Sequence, residues 1–135
     1  MTETTPQRPA APNELAITFL YYKDLARAEA FYRDVMGFPL VIDQQGLAKI
    51  MRVCDDAHIG LVDEAHGMHK WAETRPVQFC IRVPDVDEWY AYIASQGVEN
   101  LSEMFVNDAI GIRAFVFDDP EGYQVEIQTA TREGA

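Results

Sequence analysis

The sequence predicts an α+β fold: two tandem β-α-β-β-β units forming a curved, cleft-enclosing mixed sheet. Three observations predict it. Strand-like and helix-like patterns recur in the same order in the two halves of the chain. Each helix-like stretch is followed by three short apolar runs, which favour an antiparallel meander over parallel β-α-β crossovers. The 135 residues, 48% hydrophobic and 24% charged, suit one compact domain or two small repeats sharing a core, since a half of about 55 residues is marginal alone.

The first repeat opens with an apolar, aromatic, β-prone strand at 17–22. Asp24 stands where a helix N-cap belongs, and Ala28, Phe31, Tyr32 and Val35 follow at helical spacing, so a helix is predicted over about 25–36. Gly37 suits its C-cap. Short strands are predicted at 39–42, 47–53 and 58–62, punctuated by Gln44-Gln45-Gly46 and Asp55-Asp56. The second repeat reproduces this order with a strand at 77–83, Asp85 before a helix at about 86–95 carrying Trp89, Tyr92 and Ile93, and Gly97 at its end. Strands at 101–105, 112–117 and 123–128 follow, the last two joined by a turn at 118–122. Placing Asp24 on Asp85 brings Phe31 onto Tyr92 and Leu20 onto Ile81. The expected organisation is a mobile, proline-bearing tail at 1–13 and one domain at 14–130. That domain comprises repeat one (about 14–63), a linker (about 64–76) and repeat two (about 77–130), with 131–135 frayed.

Eleven Lys and Arg stand against 22 Asp and Glu, a formal net charge of −11. That charge repels phosphates and anionic lipid surfaces, so neither nucleic acid nor a membrane is an expected partner. No apolar run reaches the roughly 18 residues of a membrane span, and residues 1–10 lack a signal-peptide profile. Cys54 and Cys80 have neither disulfide-framework nor metal-site spacing and read as buried, reduced thiols of a cytoplasmic protein.

Asp24-Leu25, Phe31-Tyr32 and Met36-Gly37-Phe38, followed near the end by Asp119-Pro120-Glu121-Gly122-Tyr123 and Val125-Glu126, resemble the vicinal oxygen chelate superfamily. Its members include glyoxalase I, bleomycin-resistance proteins, fosfomycin-resistance enzymes and extradiol dioxygenases. The resemblance covers about 15–130 and implies the paired-repeat fold, a cleft and a homodimer. It does not by itself imply one chemistry, because the superfamily hosts lyases, isomerases, transferases, dioxygenases and non-catalytic binders. Metal-dependent relatives hold one divalent ion with side chains on the first and last strands of each repeat. The corresponding positions here are Ile17 and Gly60, then Gln78 and Glu126. Isoleucine and glycine offer no donor, which leaves one amide oxygen and one carboxylate, short of the three protein donors such ions generally take. His58 shares a strand face with Gly60 and could add an imidazole. The expectation is therefore no cofactor, with a single divalent metal ion on Gln78, Glu126 and His58 as the alternative. His66 and His69, in the linker, read as solvated surface.

Strand alternation then lists the cleft face. Phe19 and Tyr21 follow Ile17, Cys80 and Arg82 follow Gln78, and Gln124 and Gln128 flank Glu126; Leu20, Ile81, Val125 and Ile127 point to the helices. Phe19, Tyr21, His58, Gln78, Cys80, Arg82 and Gln124 are the candidate ligand-binding residues, and Glu126 is the candidate catalytic base. Arg82 either pairs with Glu126 or anchors a ligand carboxylate or phosphate. Cys80 is an inert thiol unless a base activates it. Met68 and Trp71 either roof the cleft or fill the seam between the repeats. The leading expectation is a small, partly apolar ligand bound without the usual metal. The alternatives are a metal-dependent lyase or isomerase of the glyoxalase type, with the ion as Lewis acid, and a degenerate copy kept for protein–protein interaction.

Overall fold

The computed structural model describes residues 5–10 and 14–135; 5–10 are exposed and without regular structure, and the rest of the expected tail lies outside the described residues. The first repeat runs β1 (Ala16–Tyr22), α1 (Leu25–Ala30), a π-helical turn (Phe31–Val35), β2 (Leu40–Asp43), β3 (Ala48–Cys54) and β4 (Ala57–Asp63). The second runs β5 (Gln78–Arg82), α2 (Val86–Ser95), β6 (Phe105–Asn107), β7 (Ile112–Asp118) and β8 (Gln124–Ala130). Each repeat forms its own four-stranded sheet, in orders β1-β4-β3-β2 and β5-β8-β7-β6. In each, the first and last strands pair in parallel and the other pairs are antiparallel.

The helices start where the sequence places their caps. Asp24, in extended backbone, accepts from the Arg27 amide, and Asp85 accepts from the amides of Asp87 and Glu88. Positive φ at Gly37 (77°) and Gly97 (68°) turns the chain out of each helix. The π turn carries Met36 N–H to the Phe31 carbonyl at 3.2 Å. That extra residue in the turn sets Tyr32, Met36 and Phe38 inward, all buried. One core spans both repeats: Leu20, Tyr22, Ile59 and Leu61 from the first sheet, Phe115, Phe117, Val125 and Ile127 from the second. Phe79 meets both Tyr32 and Phe38 edge-on, with ring centroids 6.3 and 6.2 Å apart. Sharing this core answers the weakness of a lone half.

Two expectations need correcting. The strand predicted at 101–105 shortens to Phe105–Asn107, because Ser102 interrupts the ladder: its hydroxyl accepts from Val116 N–H at 2.9 Å while its carbonyl takes the Tyr90 phenol. Residues 131–135 are tied down rather than frayed. Thr131 N–H reaches the Gly111 carbonyl, the Arg132 guanidinium bonds the Asp108 and Ala109 carbonyls, and Arg82 donates to the Ala135 carbonyl. Among the described residues no helix is long and apolar enough to cross a membrane.

Candidate functional site

The two repeats carry the same register on the sheet faces turned away from the helices. In the first, Ile17 pairs with His58, Phe19 with Gly60 and Tyr21 with Val62. In the second, Gln78 pairs with Gln124, Cys80 with Glu126 and Arg82 with Gln128. The Phe19–Gly60 position is therefore the counterpart of Cys80–Glu126.

On the second sheet this face is a polar ladder. Gln78 Nε2 donates to Gln124 Oε1 at 2.6 Å, Cys80 Sγ to Glu126 Oε2 at 3.3 Å, and Gln128 Nε2 to the same Glu126 oxygen at 2.5 Å. Arg82 donates through Nε, at 2.9 Å, and Nη2 to Gln128 Oε1. Its partner is thus Gln128 and not Glu126, because the register sets Glu126 opposite Cys80. Glu126 Oε1, Gln78 Oε1 and Gln124 Nε2 take no part in these ladder bonds.

Both cysteines are free but exposed, which corrects the expectation of buried thiols. Alternation aims Cys80 at the face no helix covers, and Cys54 closes β3 next to a bulge. Desolvation, then the hydrogen bond to Glu126 and its charge, push the Cys80 thiol up to about 11, with Arg82 opposing. A thiol so held is not a nucleophile at neutral pH. In a Cys54→Ser background, alkylation of Cys80 will rise with pH along a curve centred near 11, and Glu126→Gln will move that midpoint down. A midpoint at the ordinary thiol value, unmoved by Glu126→Gln, would show that the pair does not form.

The first sheet's corresponding face is apolar. Ala48, Ile50 and Val62 are buried there beneath Ile17, Tyr21 and Val41. Phe19, 43% exposed, lays its ring across Gly60. A Cβ at Gly60 would sit 2.5 Å from Phe19 Cδ1 and 2.9 Å from Ile17 Cγ2. The space a donor side chain would need is thus filled by phenyl ring. His58 is on the predicted face but only 5% exposed. Its Nδ1 lies 3.0 Å from the Asp56 carbonyl and so carries the proton, leaving Nε2 buried and unpartnered. A groove of about 200 Å³ opens nearby, lined by Phe19, Tyr21, Gln44, Leu47, Val62 and Met68 among others, and His58 is not part of its wall.

The structure therefore brings Phe19 and Tyr21 together on one sheet and Gln78, Cys80, Arg82, Gln124 and Glu126 on the other. The donors do not fit the divalent ion of the metal-dependent relatives. Two positions carry none, Phe19 occupies the space, and no group of three His, Cys, Asp or Glu among the described residues converges.

The seam between the repeats joins residues that the sequence named as family motifs or linker but not as one hydrogen-bonded cluster. Asp119, 1% exposed, accepts from the phenols of Tyr22 (2.6 Å) and Tyr32 (2.8 Å) at Oδ2 and from the amides of Glu121 (2.9 Å) and Tyr123 (3.0 Å) at Oδ1. Burial pushes its carboxyl up, against the pull of these four hydrogen bonds, and burial likewise pushes both phenols well up. Glu121 accepts from the amides of Lys23 and Asp24 at the start of α1. Trp71 Nε1 bonds the Glu121 carbonyl at 2.9 Å, with its ring under Lys23 Nζ (3.8 Å) and beside the Arg75 guanidinium (4.7 Å). The linker divides the two expectations for it: Trp71 fills the seam, while Met68 stands 92% exposed at the groove. A tyrosine on the inward face of β1 and another in the first helix, with an aspartate in a tight turn, were the available signal.

Known proteins agree with this frame. The model of the Glyoxalase/Bleomycin resistance protein/Dioxygenase superfamily matches residues 14–127. No curated protein matches. Among solved structures, a lactoylglutathione lyase from Agrobacterium tumefaciens is 25% identical over 92% of this chain and 98% of its own, with a TM-score of 0.72. A glyoxalase/bleomycin resistance protein/dioxygenase from Nocardioides is 19% identical over 94% of this chain and 89% of its own, at 0.73. TioX from Micromonospora sp. ML1 is 18% identical over 87% and 99%, at 0.70. With two β-α-β-β-β repeats in matching register and a family match over most of its length, the chain belongs to the glyoxalase/bleomycin resistance protein/dioxygenase superfamily.

Proposed function

We propose that this chain is a cytoplasmic protein that binds a small, partly apolar, planar molecule without the divalent ion of its metal-dependent relatives, and that it does so as a homodimer. The cleft would be closed by two copies. The Phe19–Tyr21 face of one supplies an apolar wall, and the Gln78–Gln124–Glu126 ladder of the other supplies a polar one. The carrying observation is the Phe19 ring packed on Gly60, which puts an aromatic surface where relatives of the metal-dependent kind place a ligating side chain. In a single copy Phe19 is exposed on one wall and Gln78 and Gln124 on the other, and the two walls are complementary in character. An aromatic ligand stacked on Phe19 and Tyr21 gains burial plus about 0.5–1.5 kcal/mol from ring geometry. Its donors and acceptors would meet Glu126 Oε1, Gln78 Oε1 and Gln124 Nε2, which fix orientation. No covalent step is required.

The likeness to a lactoylglutathione lyase favours a second reading, metal-dependent lyase or isomerase chemistry through Gln78, Glu126 and His58. Elemental analysis of untagged protein after gel filtration in chelator-free buffer separates the two. Substoichiometric zinc, nickel, manganese and iron, unchanged in Glu126→Ala, is the expected result. One equivalent per chain, lost in that variant, would overturn the metal-free reading. A thermal-shift screen of planar aromatic metabolites and antibiotics should then give hits that Phe19→Ala abolishes.

A further inference from the structure

We propose that the linker at 66–68 makes the groove of the first repeat a one-sided slot for the apolar ring end of the ligand, and that Gly67 sets how large a ring it admits. This rests on the ligand reading above and gives it a direction: the ring end seats on the first repeat, and the polar end is left for the second repeat's ladder. The floor of the slot is Ala48 and Val62, 1% and 5% exposed, and its sheet-side walls are Phe19 and Tyr21. The far wall is the linker, pressed onto the sheet at Gly67: a Cβ there would lie 2.7 Å from Val62 Cγ1 and 3.1 Å from Tyr21 Cε1. Met68 stands at the mouth, exposed, where it packs against little until a ring covers it. Among the described residues, none that lines the slot is Asp, Glu, Lys or Arg. At about 200 Å³ the slot is smaller than the roughly 300–1,000 Å³ of a pocket that encloses a drug-sized molecule, so it takes one end of a ligand and not the whole.

The linker is held at both ends. The Asp63 carbonyl accepts from the amides of His66 (3.1 Å) and Gly67 (2.9 Å), and its carboxylate accepts from Ala65 N–H at 2.9 Å. Beyond the slot, Trp71 Nε1 bonds the Glu121 carbonyl at 2.9 Å and Arg75 Nη2 the Gly122 carbonyl at 2.8 Å. The wall is therefore set before a ligand arrives, and a set wall selects by size. The second repeat has no such slot in the same place. Tyr21 opposite Val62 is matched there by Arg82 opposite Gln128. Arg82 donates to Gln128 Oε1 and to the Ala135 carbonyl, so a polar clamp stands where the first repeat is open and apolar. Each chain thus offers a ring one seat and one orientation.

The test uses the full chain and two uncharged probes, naphthol with two fused rings and phenanthrol with three. Titration is followed by methyl and amide NMR shifts, which report the seat as well as the affinity. Naphthol should give its largest shifts at Leu47, Val62 and Met68. Gly67 is not at positive φ, so alanine suits the backbone there and the contact with Val62 and Tyr21 must give. Gly67→Ala should therefore move the ratio of the two affinities by about fivefold or more toward phenanthrol. Ala48→Leu, which fills the floor, should weaken naphthol by about tenfold or more. Largest shifts at Gln78 and Glu126 would overturn the proposal, as would an unchanged ratio in Gly67→Ala together with naphthol binding in Ala48→Leu as tight as in the parent. If Phe19→Ala still abolishes binding in that second case, the slot falls and the ligand reading stands. A parent that binds neither probe, while other planar molecules give thermal shifts, overturns the slot alone.

Discussion

Asp119→Ala will lower the unfolding free energy by about 3–5 kcal/mol, the largest single-residue effect expected outside the apolar core. Alanine leaves two buried phenols and two amides without their acceptor. At this chain length the loss amounts to roughly 10–20 °C in Tm. Asp119→Asn should cost about half as much. Its carbonyl can keep the two amides, and its NH₂ can donate to phenols that rotate to accept. A pH series separates charge from shape. Burial raises the Asp119 carboxyl above its unfolded value, so the part of its contribution that depends on protonation is full below the ordinary carboxylate pKa and is lost as pH rises through the raised one, while the four hydrogen bonds remain. The difference between the parent and Asp119→Asn should carry that slope. An Asp119→Ala protein as stable as the parent in urea would show that the seam holds by apolar contact alone.

Ile17→His, Phe19→Ala and Gly60→Glu made together will give the protein a divalent-ion site, tightening zinc or nickel binding by about 100-fold or more over the parent. The first and third changes restore donors at the two empty positions. The second clears the ring that a side chain at position 60 would strike. Gln78 and Glu126 lie on the other sheet. Under the proposed dimer, an ion using all four positions draws two copies together, so sedimentation should become metal-dependent. If Ile17→His with Gly60→Glu binds as well without Phe19→Ala, the phenyl ring is no obstacle. If the triple variant gains nothing, the two walls do not meet as proposed.

Most of the fold was legible because it repeats. Asp24 and Asp85, Gly37 and Gly97, and the alternation of Gln78, Cys80 and Arg82 are local signals, and the register follows from them once two copies are superposed. What was not legible depends on distant partners. Alternation placed His58 on the cleft side, but whether Ile17 and its neighbours would seal it is a matter of packing. An acid two residues before Arg82's true partner made Glu126 the obvious choice, while strand pairing selected Gln128. The π turn has no composition signature. Asp119 reads as an ordinary turn aspartate until Tyr22 and Tyr32 are found above it, 97 and 87 residues away in the chain.

That last separation bears on how the chain acquires its structure as it is made. The strands of the first repeat are complete once residue 63 has been added. Tyr22 and Tyr32, however, then face inward with no acceptor for their hydroxyls until the turn at Asp119 has been synthesised. The first repeat must therefore wait, loosely formed, for most of the second, with its strand edges open meanwhile. Parallel pairing of first with last strands adds further long-range closure within each half. Folding should accordingly be slow for the size and cooperative across both halves, with a single kinetic step that neither repeat completes alone.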